Sequence, residues 1–294
     1  MVTLRQLRYL TAVADRCHFG RAAEDCAVSQ PSLSQQIAEL EADLGVQLVD
    51  RSGRQVALTD MGRVIVERAR DILSAVADLS RVAREGKPGL DTLRLGVIPT
   101  IAPFLLPRAL PAIRRIVGEF RVHEATTGTL VAEIRNNTLD VALLALPVEE
   151  PGIETLALFE DPFYLATPAS QRIKGPLAAS DVDVGALLLL DEAHCLRDQA
   201  LSLCGVAAGE LRKQLGATSL ATLASLVAAG LGQTLVPEMA VEALFAGEKR
   251  VRIVPFKKPH PARTVGLAFR STASNKQALR QLGAAIAGTR KRAA

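Results

Sequence analysis

Apolar positions in the first ninety residues recur at intervals of three and four. Leu4, Leu7, Leu10 and Ala14 keep this spacing after Thr3-Leu4-Arg5-Gln6, a capping-box pattern, and predict a first helix. Phe19 to Cys26, rich in Ala, predicts a short second helix, and Ala27-Val28 is a tight connection. Ser29 is placed to cap a third helix, with Pro31 in its first turn, where a missing N–H costs little. Leu33, Ile37, Leu40 and Leu44 form its apolar stripe, and Ser32, Gln35, Gln36 and Glu39 fall on the opposite face.

The pattern then changes. Gln47-Leu48-Val49-Asp50 and Gln55-Val56-Ala57-Leu58 predict two strands joined by Arg51-Ser52-Gly53-Arg54, a glycine turn carrying two arginines. A long helix follows, capped by Thr59 or Asp60 and fading at Gly86-Lys87-Pro88-Gly89. Ile65, Ala69, Ile72, Val76, Leu79 and Ala83 step along it by 4, 3, 4, 3, 4, a heptad seam. A seam on one helix of about 28 residues, roughly 42 Å long, needs a partner, and a second copy of the chain is the simplest.

Beyond the Gly86 to Leu90 linker, strand and helix patterns alternate. Thr92 to Ile98 predicts a strand, Pro99-Thr100 opens a helix to about Val117, Arg121 to Ala125 is a second strand, a helix lies near Leu130 to Asn136, and Val141 to Leu146 is a third strand. This is βαβ architecture with a parallel sheet, whose ligands bind at the strands' C-terminal ends. Thr100 and Thr126-Thr127 sit at two such ends. A second unit follows from about Phe163, with strands at 163–167, 187–191, 215–218 and 233–236 and a helix at 219–229. A strand at 263–269 and a helix from about Asn275 return to the first unit, giving two lobes with a cleft between them.

Composition narrows the class. The chain has 294 residues, 49% of them hydrophobic and 22% charged, as in a soluble globular protein of two or three domains. No apolar run reaches the roughly 20 residues of a membrane span, and the N-terminus lacks a signal-peptide core, so a cytoplasmic location is expected. Net charge is +4, yet residues 1–88 carry 12 Lys/Arg against 12 Asp/Glu. Any DNA contact must therefore come from local patterning. Aromatics are 3% and Trp is absent, which argues against base-stacking platforms for RNA or single strands.

Four cysteines do not make a structural disulfide framework in a cytoplasmic chain of this length. Cys195 follows the apolar run Leu187 to Leu190 and opens a helix-forming stretch, where a helix N-terminus and the neighbouring His194 and Arg197 favour a thiolate. Cys204 lies nine residues on. On one continuous helix the two are separated by roughly 13.5 Å, whereas a disulfide needs Cα atoms about 4.4–6.8 Å apart. The pair is either a switch that must unwind to oxidise or two small buried apolar residues. Cys17 and Cys26, also nine apart, read as a helix-end residue and a core residue without redox role.

Two short helices joined by a tight turn, the second with a polar uncharged face, form a helix-turn-helix or else a plain three-helix bundle. In the first reading Ser29, Gln30, Pro31, Ser32, Ser34, Gln35 and Gln36 face DNA, and Arg51 and Arg54 form a wing for phosphate or minor-groove contact. Two copies then place two reading helices on one duplex.

Ala22-Ala23, Val28-Ser29-Gln30-Pro31-Ser32-Leu33-Ser34, Leu40-Glu41, Leu44-Gly45, Leu58-Thr59 and Gly62 resemble the winged helix-turn-helix of LysR-type transcriptional regulators. The rest of the chain is similar, in the same order, to that family's effector domain. Within the family, His194-Cys195-Leu196-Arg197-Asp198-Gln199-Ala200 with Cys204, Gly96 to Thr100, His123-Glu124-Ala125, Ala217 to Leu220 and Val227 to Gly230 resemble the hydrogen-peroxide-sensing OxyR group.

The resemblance implies an α/β multidomain fold. A winged helix-turn-helix occupies 1–58 and a linker helix for dimerisation 59–88. A two-lobed periplasmic-binding-protein-like effector domain follows, with subdomain I at 89–162 and 267–294 and subdomain II at 163–266. It implies that Cys195 is the peroxidatic thiol and Cys204 its resolving partner, and that Thr100, Thr127, His194, Arg197 and Asp198 hold peroxide or shape the pocket. It implies double-stranded DNA and hydrogen peroxide as partners, a homodimer that pairs into a homotetramer, contact with RNA polymerase, no membrane, no cofactor, no metal and no enzymatic turnover. An ordinary metabolite-responsive member of the family, with the cysteines as spectators, is the alternative. A thiol peroxidase would leave residues 1–90 without a purpose.

Overall fold

Each N-terminal helix begins where a side chain can take up its free N–H groups. In the computed structural model, which describes residues 1–50, 56–85, 90, 92–171, 173, 175–191, 195–203 and 216–290, the chain forms two units, Met1–Pro88 and Gly89–Ala294. Helix α1 (Leu4–Arg16) starts in a reciprocal capping box. The Thr3 N–H donates to Gln6 Oε1 at 2.9 Å, and the Gln6 N–H donates to Thr3 Oγ1 at 3.3 Å. Helix α2 (Phe19–Asp25) is capped by His18, a role its sequence did not announce. Helix α3 (Gln30–Leu44) is capped by Ser29, and Leu33, Ile37 and Leu40 are fully buried on its inner stripe. Strands β1 (Val49–Asp50) and β2 (Ala57–Leu58) pair antiparallel, shorter than expected. The expected turn between them lies outside the described residues.

Helix α4 (Asp60–Glu85) opens with the Gly62 N–H donating to Thr59 Oγ1 at 2.9 Å. A Cβ at residue 62 would collide with the Leu48 carbonyl, so only glycine lets α4 approach β1 this closely. The heptad seam divides in two. Val66 and Ala69 are buried and Ile65 packs on the core of this unit, because α1 covers that part of α4. Ala69 is therefore not free for a partner, a correction to the seam read from spacing. Ile72 and Leu79 further on are 46% and 68% exposed.

The second unit is built on one seven-stranded sheet. Strand β3 (Thr92–Val97) lies parallel between β4 (Glu119–Glu124) and β5 (Val141–Leu146). Helices α5 (Ala102–Ile113) and α6 (Thr127–Arg135) make the crossovers. Strand β6 (Ile153–Pro168) is the spine. Its first half pairs antiparallel with β11 (Ala262–Arg270), which also pairs with β5. Its second half pairs with β9 (Thr234–Pro237) and β10 (Val251–Pro255). Short strands β7 (Leu189–Leu190) and β8 (Gly216–Ala217) are parallel. Helices α7 (Cys195–Leu203), α8 (Leu220–Ala228), α9 (Glu238–Phe245) and α10 (Lys276–Gly288) complete the unit.

Two cores result, one under β3, β5 and β11 and one around β7, β9 and α8. Strand β6 passes from one to the other at Asp161 to Phe163. The lobe boundary expected at 162/163 falls inside β6. The return expected at 267 falls inside β11, whose pairing with β6 already begins at Ala262. Among the described residues, no helix is long and apolar enough to cross a membrane.

Candidate functional site

Parallel strands deliver their following turns to one end of the sheet, and here β3 and β4 run in register, Val97 opposite Glu124. Thr100 follows β3 in the turn before α5, and Thr126-Thr127 follow β4. Thr126 occupies the N-cap position of α6 and spends its hydroxyl on Thr129, 3.1 Å away. Thr127 is the first residue of α6, and its Oγ1 is buried with no hydrogen-bond partner. Buried hydroxyls are almost always paired, so this one stands out among the described residues.

Thr100 is only 3% exposed. Its hydroxyl accepts from Arg263 Nη1 at 2.9 Å and its carbonyl from Arg263 Nη2 at 3.0 Å. A hydroxyl that accepts keeps its own hydrogen to donate elsewhere. Arg263 in turn donates from Nε to Asp161 Oδ2 at 3.0 Å, and Asp161 Oδ1 accepts the Met239 N–H at 3.1 Å. Burial pushes the Asp161 carboxyl up from its ordinary value, against the pull of Arg263.

Cys195 is the first residue of α7, which runs unbroken through Leu203. The thiol is free and half-buried. Its helix belongs to the second lobe, whose core takes Leu196, Ala200 and Leu201. Cys195 itself packs on the other core, the one that includes Ile98, Ile101 and Ala125 beside the two threonine turns. The thiol thus sits at the junction of the lobes. Gln199 is one helical turn on, on the same face, and its Oε1 is buried without a partner. Arg197 Nη1 donates to the Leu190 carbonyl at 3.3 Å and so ties the first turn of α7 to the end of β7. Asp198 is exposed. His194 and Cys204 lie outside the described residues. Gln199, Arg263 and Asp161 are the residues here that sequence reasoning missed.

In the first unit, Ser29, Gln30, Pro31, Ser32 and Gln35 are exposed along one side of α3, and Ser34 and Gln36 are half-buried. Gln35 and Gln36 donate to the two oxygens of Glu39 at 3.0 and 2.6 Å, which leaves both amide oxygens as acceptors. His18 Nδ1 accepts from the N–H groups of Gly20 and Arg21 at 3.0 and 3.3 Å. His18, Arg21 and Gln30 line a cleft of about 460 Å³. Arg51 and Arg54 lie outside the described residues. Cys17 is the exposed left-handed residue that ends α1, with φ 48°. Cys26 ends α2 and packs on the core, and burial pushes its thiol up. Among the described residues, no group of three His, Cys, Asp or Glu could hold a metal ion.

Comparison with known proteins matches both units. Residues 4–63 fit the bacterial regulatory helix-turn-helix protein, lysR family, and residues 87–290 fit the LysR substrate binding domain. The DNA-binding transcriptional dual regulator OxyR of Escherichia coli strain K12 is 40% identical, with 97% of this chain and 95% of that protein covered. A probable hydrogen peroxide-inducible genes activator of Mycobacterium avium is 41% identical, with 97% and 93% covered. Among solved structures, a full-length OxyR variant from Pseudomonas aeruginosa superimposes with TM-score 0.72 at 35% identity, covering 97% of this chain and 95% of that one. A hydrogen-peroxide-bound OxyR mutant from Corynebacterium glutamicum gives TM-score 0.65 at 33% identity, covering 98% and 92%.

Proposed function

Because the chain belongs to the LysR family of bacterial transcriptional regulators, a family of DNA-binding proteins and not of enzymes, we propose that it regulates transcription in response to hydrogen peroxide through the thiol of Cys195. The observation that carries this reading is the thiol itself. It is free, half-buried at the junction of two lobes, and first in an unbroken helix of nine residues. The unpartnered oxygens of Thr127 and Gln199 supply polar groups that want a small ligand. Hydrogen peroxide is small enough, and it both donates and accepts.

The chemistry is two steps. The Cys195 thiolate attacks one peroxide oxygen, the O–O bond breaks, and the departing hydroxide takes a proton to leave as water. The product is a sulfenic acid on Cys195. The thiolate of Cys204 then attacks that sulfur, an S–S bond forms, and a second water leaves. Thr100, Thr127, His194, Arg197 and Asp198 are the proposed pocket, with donors that stabilise the departing oxyanion. Since α7 is continuous to Leu203, the sulfurs cannot meet while it stays coiled, and the disulfide forces it to repack.

The remaining parts follow the family pattern. Residues 1–58 read duplex DNA through Ser29, Gln30, Pro31, Ser32, Ser34, Gln35 and Gln36 on α3 and through Arg51 and Arg54. Residues 59–88 pair two copies. Subdomain I (89–162 and 267–294) and subdomain II (163–266) form the sensor. The proposed assembly is a homotetramer acting with RNA polymerase in the cytoplasm, where its DNA lies. The test is a DNA footprint of the full-length protein before and after a small peroxide dose. The wild type shifts its footprint and Cys195→Ser does not. A Cys195→Ser footprint that still shifts defeats the proposal.

A further inference from the structure

We propose that Asp161 is a positioning residue for the peroxide reaction: it fixes the Arg263 guanidinium, which in turn aims the Thr100 hydroxyl at the bound oxidant. This rests on the pocket reading above, since it needs Thr100 to touch peroxide.

The geometry is a chain of short, buried hydrogen bonds. Arg263 has a fully buried side chain and Asp161 is 2% exposed, so water does not substitute for either. The guanidinium is planar and rigid. Once its Nε edge is held by Asp161 at 3.0 Å, the direction of its Nη groups is set. Those groups meet the Thr100 hydroxyl at 2.9 Å and the Thr100 carbonyl at 3.0 Å. Both oxygens of Thr100 are thereby pinned from one side. The hydroxyl, accepting from Arg263, directs its own hydrogen away from it. Without the carboxylate, the guanidinium can pivot and the hydroxyl loses its orientation.

The position of Asp161 in the fold adds a second link. It is paired across the sheet with Arg263, one residue from the point where β6 leaves the first lobe. Its other oxygen takes the Met239 N–H from the first turn of α9 in the second lobe. Thr100 belongs to the first lobe. The carboxylate therefore ties the hydroxyl to the lobe that carries Cys195, and holds sulfur and hydroxyl in register.

The test compares two reactions of the same thiol in the full-length protein. Thiol loss at Cys195 is followed with hydrogen peroxide and, separately, with iodoacetamide, whose reaction needs no donor at Thr100. Asp161→Asn is expected to slow the peroxide reaction roughly 10- to 100-fold and to leave alkylation within about twofold, since misplacing one donor matters only to the oxidant. In a Thr100→Val background, Asp161→Asn is expected to add less than about twofold, because its effect passes through that hydroxyl. If Asp161→Asn does not fold, Asp161→Glu, which keeps the ion pair but displaces the guanidinium by a methylene, must show the same split. A purely structural ion pair slows both reactions together or keeps its full effect on Thr100→Val. Either result overturns the proposal, as does an unchanged peroxide rate. A wild type whose Cys195 ignores peroxide overturns the pocket reading first, and is distinguished by needing no variant.

Discussion

A buried hydroxyl without a partner costs about 1–3 kcal/mol of desolvation that no contact returns. Thr127 Oγ1 is such a group. Replacing it with an isosteric methyl should help the fold and harm the sensor. Thr127→Val is expected to leave stability unchanged or raise it by up to about 1 kcal/mol, read as the thermal midpoint. The same variant should slow sulfenic acid formation at Cys195 roughly 10-fold, read by stopped-flow, if the hydroxyl meets peroxide. A loss of stability would mean that the hydroxyl serves the chain and not a ligand. Of the adjacent threonines, Thr126 holds the N-cap position of α6 and turns its hydroxyl to that of Thr129, whereas the Thr127 hydroxyl is unspent, which favours Thr127 as the pocket residue. That choice was not legible in two identical neighbours. Gln199 was missed although a signal for it existed, since four residues from Cys195 on a helix is one face. Arg263 was not, because its bond to Thr100 spans 163 residues and depends on the register of β6 with β11.

At the scale of elements, caps and stripes in the first unit announced themselves, and α1 and α3 begin where Thr3 and Ser29 predict. Strand β6 was only half visible. Its apolar alternation is interrupted by Glu160 and Asp161, and a buried charge looks like a turn until its partner is known. Helix α9 was missed because it starts directly after β9, with Pro237 as the last strand residue and no turn residues between them. The seam on α4 was legible as a period but not as a partition between α1 and open surface. The exposed part carries the dimer prediction. Ile72→Glu with Leu79→Glu is expected to shift the protein toward monomer in sedimentation and to weaken operator binding. The thermal midpoint of the first unit should stay nearly unchanged, because neither side chain is in its core. Unaltered sedimentation would place the dimer contact elsewhere.

Across the second unit, the two lobes share β6 and are joined again through Asp161, through Arg108 to Glu242 at 2.9 Å and through Arg290 to Glu238 at 3.0 Å. The sensor is therefore expected to respond by local refolding of α7 and not by hinge opening. Hydrogen exchange should show the amides of 195–203 losing protection after peroxide while β5, β6, β11 and α9 keep theirs; deprotection spread along β6 would contradict this. The alternation of strands and helices in this unit was legible from the periods, whereas the weld between the lobes was not, since it is made by single side chains far apart in the chain. One consequence concerns α7 itself, which lends Leu196 and Leu201 to one core and Cys195 to the other. Burying a leucine contributes about 1.5–3 kcal/mol, so a sensor that unwinds this helix strips oil from both halves at once. The oxidised form must find a new roof for that grease, and until it does the protein should briefly light up an apolar dye and be at its stickiest.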